Sequence, residues 1–471
     1  MNITLLTSEI LVVLLGILIM LFDVLLPRQE SRRSLGMMAV WGTLGILLYT
    51  FTLAGPPATV YKGLYVLDTF AVFFKQLFLV STVLALLFSL DYVQDWSRNQ
   101  GEFYALLLFA VAGMMVMASA NDLLTIFVGL ELMTVVFYIL VGFHLEQVKS
   151  SEAGMKYLIL GSASSAVLLY GMSWIYGATG SVVLTEIAGK ASASPAVLLG
   201  VALMLAGIAF KLAIAPFHLW APDIYEGAPT PITAMLAMGS KAAGFAILLR
   251  IFIVALPALQ DYWLIAVSAM AVISMVGGTV VAMRQTNIKR MIGYSSIAQA
   301  GYMLAGLMAA DVPGVQGMLF YAMLYIFANV GAFAVIVSVS QQTGTDEIED
   351  FAGLAQKSPF LAVVMTIALL SMAGIPPMAG FVGKFYIFLA VIEQGHLWLA
   401  LIGFIMSMVS VYYYLLVVKT MYMKEPKDSR PLLVGSSIGV AAVASVLMTL
   451  FLGIYPAPLA DFAKAAAQVL W

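Results

Sequence analysis

Stretch after stretch of about twenty apolar residues, joined by short polar connections, runs through this 471-residue chain. A helix needs roughly 20 such residues to cross the hydrocarbon of a bilayer, and inside lipid the backbone must satisfy its own hydrogen bonds. The pattern therefore predicts an all-α integral membrane protein with about fourteen transmembrane helices, the first near 6–26 and the last near 432–455. Composition agrees: 63% of residues are hydrophobic and 10% charged, against about 25% charged in soluble domains. The first span is long and has neither a basic start nor a small-residue cleavage site, so it reads as a retained helix and not a signal peptide.

Two of these spans are interrupted. The seventh, near 196–217, contains Ala215-Pro216, and the twelfth, near 360–393, contains Ile375-Pro376-Pro377 and is too long for one straight crossing. Proline inside a helix removes a hydrogen bond and breaks or kinks it. The breaks fall on the fourth helix of two consecutive sets of five, helices 4–8 and 9–13. Because five is odd, the second set enters the membrane upside down, which is the signature of an inverted repeat with its site near the midplane. The expected parts are flanking helices in 1–102, a first half in 103–256, a second half in 262–422, and a C-terminal helix in 432–471. Placing the termini on the outer side puts Arg28, Arg32, Arg33, Arg98, Lys149, Arg284, Lys289, Arg290, Lys357, Lys419, Lys424, Lys427 and Arg430 in inner loops, as the positive-inside rule requires. Little more than Lys62, Lys190 and Lys464 remains outside, with Arg250 near an outer helix end. The acidic run Asp346-Glu347-Ile348-Glu349-Asp350 then lies in an inner loop as a solvated or docking surface.

Against that apolar background four charges stand out: Glu131 in span five, Lys211 in span seven, Lys241 in span eight and Lys384 just after the second break. A charge at the bilayer centre costs at least about 2.5–3.5 kcal/mol, so it marks an ion or proton path by default. Glu131 has no charged neighbour in its own helix, and Lys211, at comparable depth, is its natural partner. A static pair fixing helix register would account for those two alone. Lys241 lies among small residues too far from either interface to snorkel, so its ammonium must be hydrated or yield its proton. Lys384, among glycines, sits where a broken helix frees carbonyls and a dipole. His218 is placed to relay protons between Lys211 and Lys241 or simply to sit at the interface. Lys156 either snorkels or modulates the path, and Lys75, near the outer end of span three, is expected to snorkel. Ser164, Ser165, Ser295, Ser296 and Gln299 either line water or serve helix packing.

Several functions drop out. A net charge of −2 offers no basic patch for nucleic acid. With no cysteine there is no disulfide, thiolate-ligated cluster or catalytic thiol. No phosphate-binding glycine motif for ATP or a nicotinamide is visible. Energy must come from a partner or an ion gradient.

The stretch Lys211-Leu-Ala-Ile-Ala-Pro216-Phe-His218-Leu-Trp-Ala-Pro-Asp-Ile-Tyr-Glu-Gly-Ala-Pro-Thr-Pro231 resembles the antiporter-like membrane subunits of respiratory complex I. So do Ser240-Lys241, Gly374-Ile-Pro-Pro-Met-Ala-Gly-Phe-Val-Gly-Lys384-Phe385 and the loop from Arg284 to Tyr302, over roughly 121–415. A lysine at 384 and the lack of a long lateral helix make the resemblance closest to the N-type branch. It implies a proton path with Glu131 and Lys211 as a pair, Lys241 as central carrier and Lys384 as terminal residue. It also implies that this chain carries no cofactor, with NAD, FMN, iron–sulfur clusters and quinone on partner subunits. Subunit M and the small subunits K and J would be its neighbours in a bacterial cytoplasmic (inner) membrane. A subunit of a multisubunit sodium/proton antiporter, a subunit of a ferredoxin-fed complex, and a scaffold whose charges only guide assembly are the alternatives.

Overall fold

The computed structural model describes residues 3–26, 32–53, 55–94, 96, 99–426, 431–432 and 434–471. Arg28, Arg98, Lys427 and Arg430, counted with the inner cations, lie outside the described residues. Among those described, eleven helices are long and apolar enough to cross a membrane. They include α1 (Thr7–Leu25), α2 (Arg33–Thr50), α3 (Thr69–Tyr92), α4 (Gln100–Ser119), α5 (Leu123–Val141) and α6 (Val148–Thr179). A short α7 (Leu184–Lys190) follows, then α8 (Pro195–Lys211), which carries the expected seventh span only as far as Lys211, and, after a non-helical stretch containing Pro216, α9 (Trp220–Gly227). The helix break therefore begins at Lys211 itself, before Pro216.

Span eight runs as one rod over 230–255 but is not one regular helix. Between α10 (Thr230–Met235) and α11 (Lys241–Leu249) lies a π-helical turn, Leu236–Ser240, and a second one, Arg250–Ala255, follows. Such turns cluster at functional sites, and the first delivers the chain directly to Lys241. The apolar sequence carries no period that would reveal it. Beyond come α12 (Gln260–Ala282), α13 (Ile288–Leu307), α14 (Val312–Thr343), a short α15 (Leu354–Lys357), the broken pair α16 (Pro359–Ala373) and α17 (Ala379–Glu393), α18 (Leu397–Met423), α19 (Ser436–Ile454) and the terminal α20 (Ala457–Gln468). A helix apolar on every side belongs in the middle of a bundle. The most apolar 18-residue window of α14 is accordingly 100% buried, against 28% for that of α1 at the periphery.

The two halves repeat each other in detail. Asp122 caps α5 by accepting from the backbone N–H groups of Leu124 and Thr125, and Asn287 caps α13 by accepting from those of Lys289 and Arg290. Each cap residue also forms an isolated antiparallel bridge, to Val183 and to Glu347 respectively. Helices α6 and α14 both have 32 residues and stop at a left-handed glycine, Gly180 and Gly344. Where α4 crosses α5, a Cβ on Gly113 would come within 2.7 Å of the Met133 nitrogen, and where α12 crosses α13, one on Gly278 would come as close to the Ala298 nitrogen. Both breaks carry a left-handed residue, Ala213 (φ 53°) and Gly374 (φ 84°), followed by a cis bond, Ala215–Pro216 and Pro376–Pro377. In this register Glu131 corresponds to Ser296, Thr134 to Gln299, and Lys211 to Met372. Lys211 and Lys384 thus do not hold matching positions, as the paired proline breaks suggest: Lys211 ends the helix before its break and Lys384 lies in the helix after its own.

Buried ion pairs hold the flanking helices. Lys75 does not snorkel: its side chain is 0% exposed and forms a 2.8 Å ion pair with Glu9 of α1. The Tyr65 hydroxyl accepts from Lys75 at 2.8 Å and donates to Glu9 at 2.6 Å. Nor does Arg250 behave as an interfacial cation, since it forms a buried bidentate pair with Asp68, both contacts at 2.9 Å, and donates to the Ala118 carbonyl. In each case the partner comes from a helix distant in sequence, so periodicity alone leaves the charge looking unpaired. Removing one member of a buried pair strands the other at a cost of about 3–5 kcal/mol. Lys75→Met should therefore lower the thermal midpoint of the assembled complex markedly, and Lys75→Met combined with Glu9→Leu should recover much of the loss.

Candidate functional site

In the first half, Lys211 is the last residue of α8, where unpaired carbonyls and the negative end of the helix dipole favour a cation. Its buried ammonium donates to Thr134 Oγ1 of α5 at 3.2 Å and lies 5.9 Å from the ring centroids of Tyr138 and Phe210. The indole of Trp220 donates to the Phe210 carbonyl at 2.8 Å, alongside the Ala213 N–H at 2.9 Å. Glu131, one helical turn before Thr134, is half-buried and accepts from Ser165 of α6. The expected pair is therefore indirect: among the described residues no ion-pair contact joins them. Thr134 and Ser165, hydroxyls that can both give and take a proton, occupy the contacts a direct pair would use.

Lys241 reaches across from the first half to the second. It donates to the Ser296 carbonyl of α13 at 2.7 Å and to Ser296 Oγ at 3.0 Å, with no carboxylate facing it among the described residues. By the internal repeat, Ser296 stands where Glu131 stands in the first half. Packing ties Lys241 to the first break as well: a Cβ on Gly244, one turn along α11, would meet the Leu212 side chain at 2.7 Å.

Lys384 folds back over the second break. Its ammonium donates to the Met372 carbonyl at 2.9 Å, the Ala373 carbonyl at 3.2 Å and Ser407 Oγ of α18 at 2.8 Å, and it stands 4.5 Å over the Tyr302 ring. Met372 and Ala373 are the last residues of α16, so the lysine uses two of its three donors on carbonyls that the break exposes and the third on α18. Gly380 makes the fold-back possible, because a Cβ there would overlap the Ser371 carbonyl at 1.7 Å. Between the two lysines lies a buried polar layer. Ser295 and Tyr414 share a short hydroxyl–hydroxyl bond. Gln299 donates to the Tyr414 hydroxyl at 3.2 Å and to the Met372 carbonyl at 2.9 Å, while Tyr321 donates to the Gln299 oxygen. Ser295, Ser296 and Gln299 are visible in the sequence as polar positions in a span, but nothing distinguishes Tyr414 and Tyr321 from their packing neighbours.

The remaining candidates lie apart. His218 sits half-buried in the segment joining α8 to α9, between exposed Phe217 and Leu219, and its Nδ1 has no hydrogen-bond partner among the described residues. No hydrogen bond joins it to Lys211 or Lys241 among the described residues, and the chain beyond Lys211 exposes Pro216, Phe217 and Leu219. Lys156 belongs to a charge cluster, pairing with Glu152 at 2.7 Å and Asp223 at 3.1 Å. Arg290 bridges Asp223 and Glu226 at 2.7 and 3.0 Å, and Lys149 completes the cluster through Glu226. Burial pushes the Asp223 and Glu226 carboxyls up, but hydrogen bonds from Arg290, Lys156 and Lys149 outweigh it and hold both below the usual carboxylate range. Lys289, expected in an inner loop, is buried, donating to the Ala228 carbonyl at 2.9 Å and pairing with Asp346 of the acidic run at 3.3 Å. Because the Lys211 ammonium rests on one hydroxyl, Thr134→Val should lower the heat-denaturation midpoint of the assembled complex by the equivalent of about 1–3 kcal/mol. Thr134→Ser, which keeps the acceptor, should leave that midpoint near the parental value.

Comparison with known proteins places this arrangement. The family described as NADH:quinone oxidoreductase/Mrp antiporter, TM, matches residues 120–410. The NADH-quinone oxidoreductase subunit N of Heliobacterium modesticaldum is 53% identical, the alignment covering 100% of both chains. That of Moorella thermoacetica is 50% identical over 99% of this chain and 98% of its own. Among solved structures, a chain of respiratory complex I from Thermus thermophilus with bound aureothin is 32% identical, with a TM-score of 0.84, over 97% of this chain and 99% of that one. With full-length identity at this level and the buried lysines seated at both helix breaks, the chain belongs to the family of NADH-quinone oxidoreductase subunit N.

Proposed function

We propose that this chain is a proton-translocating membrane subunit of an NADH:quinone oxidoreductase. Quinone reduction elsewhere in the complex drives proton transfer through its buried lysines. The observation that carries the proposal is the seat of Lys384, an ammonium held only by carbonyls of a helix break, a serine hydroxyl and an aromatic face. It is linked through the Met372 carbonyl to the same polar layer that adjoins the Lys241 site. Protons enter from the inner side toward Lys211, load Lys241 and leave outward by Lys384. Glu131, by exchanging its Ser165 contact for Lys211, changes the charge that Lys241 feels. Two charges about 10 Å apart interact by roughly 1.7 kcal/mol at an effective dielectric of about 20, enough to shift a proton equilibrium more than tenfold. His218 has no step in this route.

The same reading supplies the surroundings. The chain crosses a bacterial inner membrane about fourteen times with both termini outside, its halves spanning 103–256 and 262–422. Its partners are other membrane subunits of the complex, with subunit M and subunits K and J as immediate neighbours. NAD, FMN, iron–sulfur clusters and quinone belong to partner subunits. Lys241→Ala should abolish or sharply reduce NADH-driven proton uptake into proteoliposomes containing the assembled complex. Undiminished pumping would overturn the proposal.

A further inference from the structure

We propose that Gln299 is a gate between the central and terminal lysines: its side-chain amide interrupts proton transfer in the observed conformation and must turn for a proton to pass. The inference rests on the proposed proton path and adds a residue that controls it. The Met372 carbonyl can only accept, so the Gln299 atom facing it at 2.9 Å is Nε2, and the amide orientation is fixed without ambiguity. Its oxygen is held by the Tyr321 hydroxyl. Both Nε2 hydrogens are therefore committed, one to Met372 and one to the Tyr414 oxygen at 3.2 Å.

A hydroxyl relays a proton by accepting one and releasing its own. An amide nitrogen has no basic lone pair, so a proton arriving at Tyr414 meets an N–H group where it needs an acceptor. The line from Ser295 through Tyr414 toward Lys384 is continuous in contacts but broken for protons at this residue. The internal repeat sharpens the point: Gln299 occupies the position of Thr134, whose hydroxyl faces Lys211 in the first half. A relay-competent side chain there is replaced by one that is not.

Turning the amide would point its oxygen at Tyr414 and at the Met372 carbonyl, placing two acceptors against each other. The closed orientation, held by Tyr321, is therefore favoured. Such a gate keeps the membrane potential from driving protons back when the enzyme is idle.

The test is passive proton leak through the assembled complex in liposomes without NADH, read with a pH-sensitive dye after a potassium-diffusion potential is imposed. Gln299→Glu substitutes a group that accepts and releases protons, and it should raise the leak several-fold over the parent. Adding Lys384→Met to Gln299→Glu should remove the excess, which a merely loosened structure would not do. Tyr321→Phe leaves the amide chemistry intact but frees its oxygen; the leak should rise about fivefold, the shift expected when one neutral hydrogen bond no longer holds the closed rotamer. If Gln299→Glu fails to assemble, Tyr321→Phe carries the test alone. Parental leak in every assembled variant would overturn the gate, and so would an excess leak that survives Lys384→Met. Normal pumping by Lys241→Ala would instead overturn the path beneath it.

Discussion

Hydrocarbon offers a freed backbone carbonyl no water, so a helix broken inside the membrane must find donors within the protein. That constraint organises this molecule. At the second break the donors are the Lys384 ammonium, Gln299 and Ser407, and two of the three acceptors that satisfy the lysine are carbonyls the break supplies. At the first break the indole of Trp220 serves the Phe210 carbonyl, leaving the Lys211 ammonium to turn toward the hydroxyl of Thr134. At the second break carbonyls and lysine thus satisfy one another, whereas at the first the lysine rests on a hydroxyl, and among the described residues neither ammonium has a carboxylate in contact.

The internal repeat explains how one scaffold yields two different halves. Caps, crossing glycines and breaks recur in register, so the backbone offers the same positions twice and side chains alone distinguish them. A carboxylate in the first half becomes Ser296 in the second, and a threonine becomes Gln299. Lys241 leans from one half onto the other, so that its ammonium is held by Ser296 of the second repeat. A first π-helical turn immediately before it gives the backbone local slack at the junction.

Much of this was legible in the chain itself. Apolar runs gave the spans, Pro216 and Pro376-Pro377 located both breaks, and charges stranded in apolar surroundings named Glu131, Lys211, Lys241 and Lys384. What stayed hidden depends on distant parts of the chain meeting. Lys75 and Arg250 look solitary until Glu9 and Asp68 arrive from other helices. Tyr414 and Tyr321 read as packing aromatics, since their hydroxyls become informative only when Ser295 and Gln299 face them. The π turns and the left-handed Ala213 leave no pattern, because an alanine carries no sign of the strained conformation that glycine shows at 374.

The central claim is that Lys384 gives up and regains a proton during turnover, and does more than cap a broken helix. Arginine at that position separates the roles, because a guanidinium can satisfy the carbonyls but stays protonated throughout. The decisive measurement is the ratio of protons pumped to electrons transferred in proteoliposomes carrying the assembled Lys384→Arg complex. A complex that assembles and oxidises NADH with a clearly reduced ratio is the predicted result; a ratio equal to the parent's would contradict it.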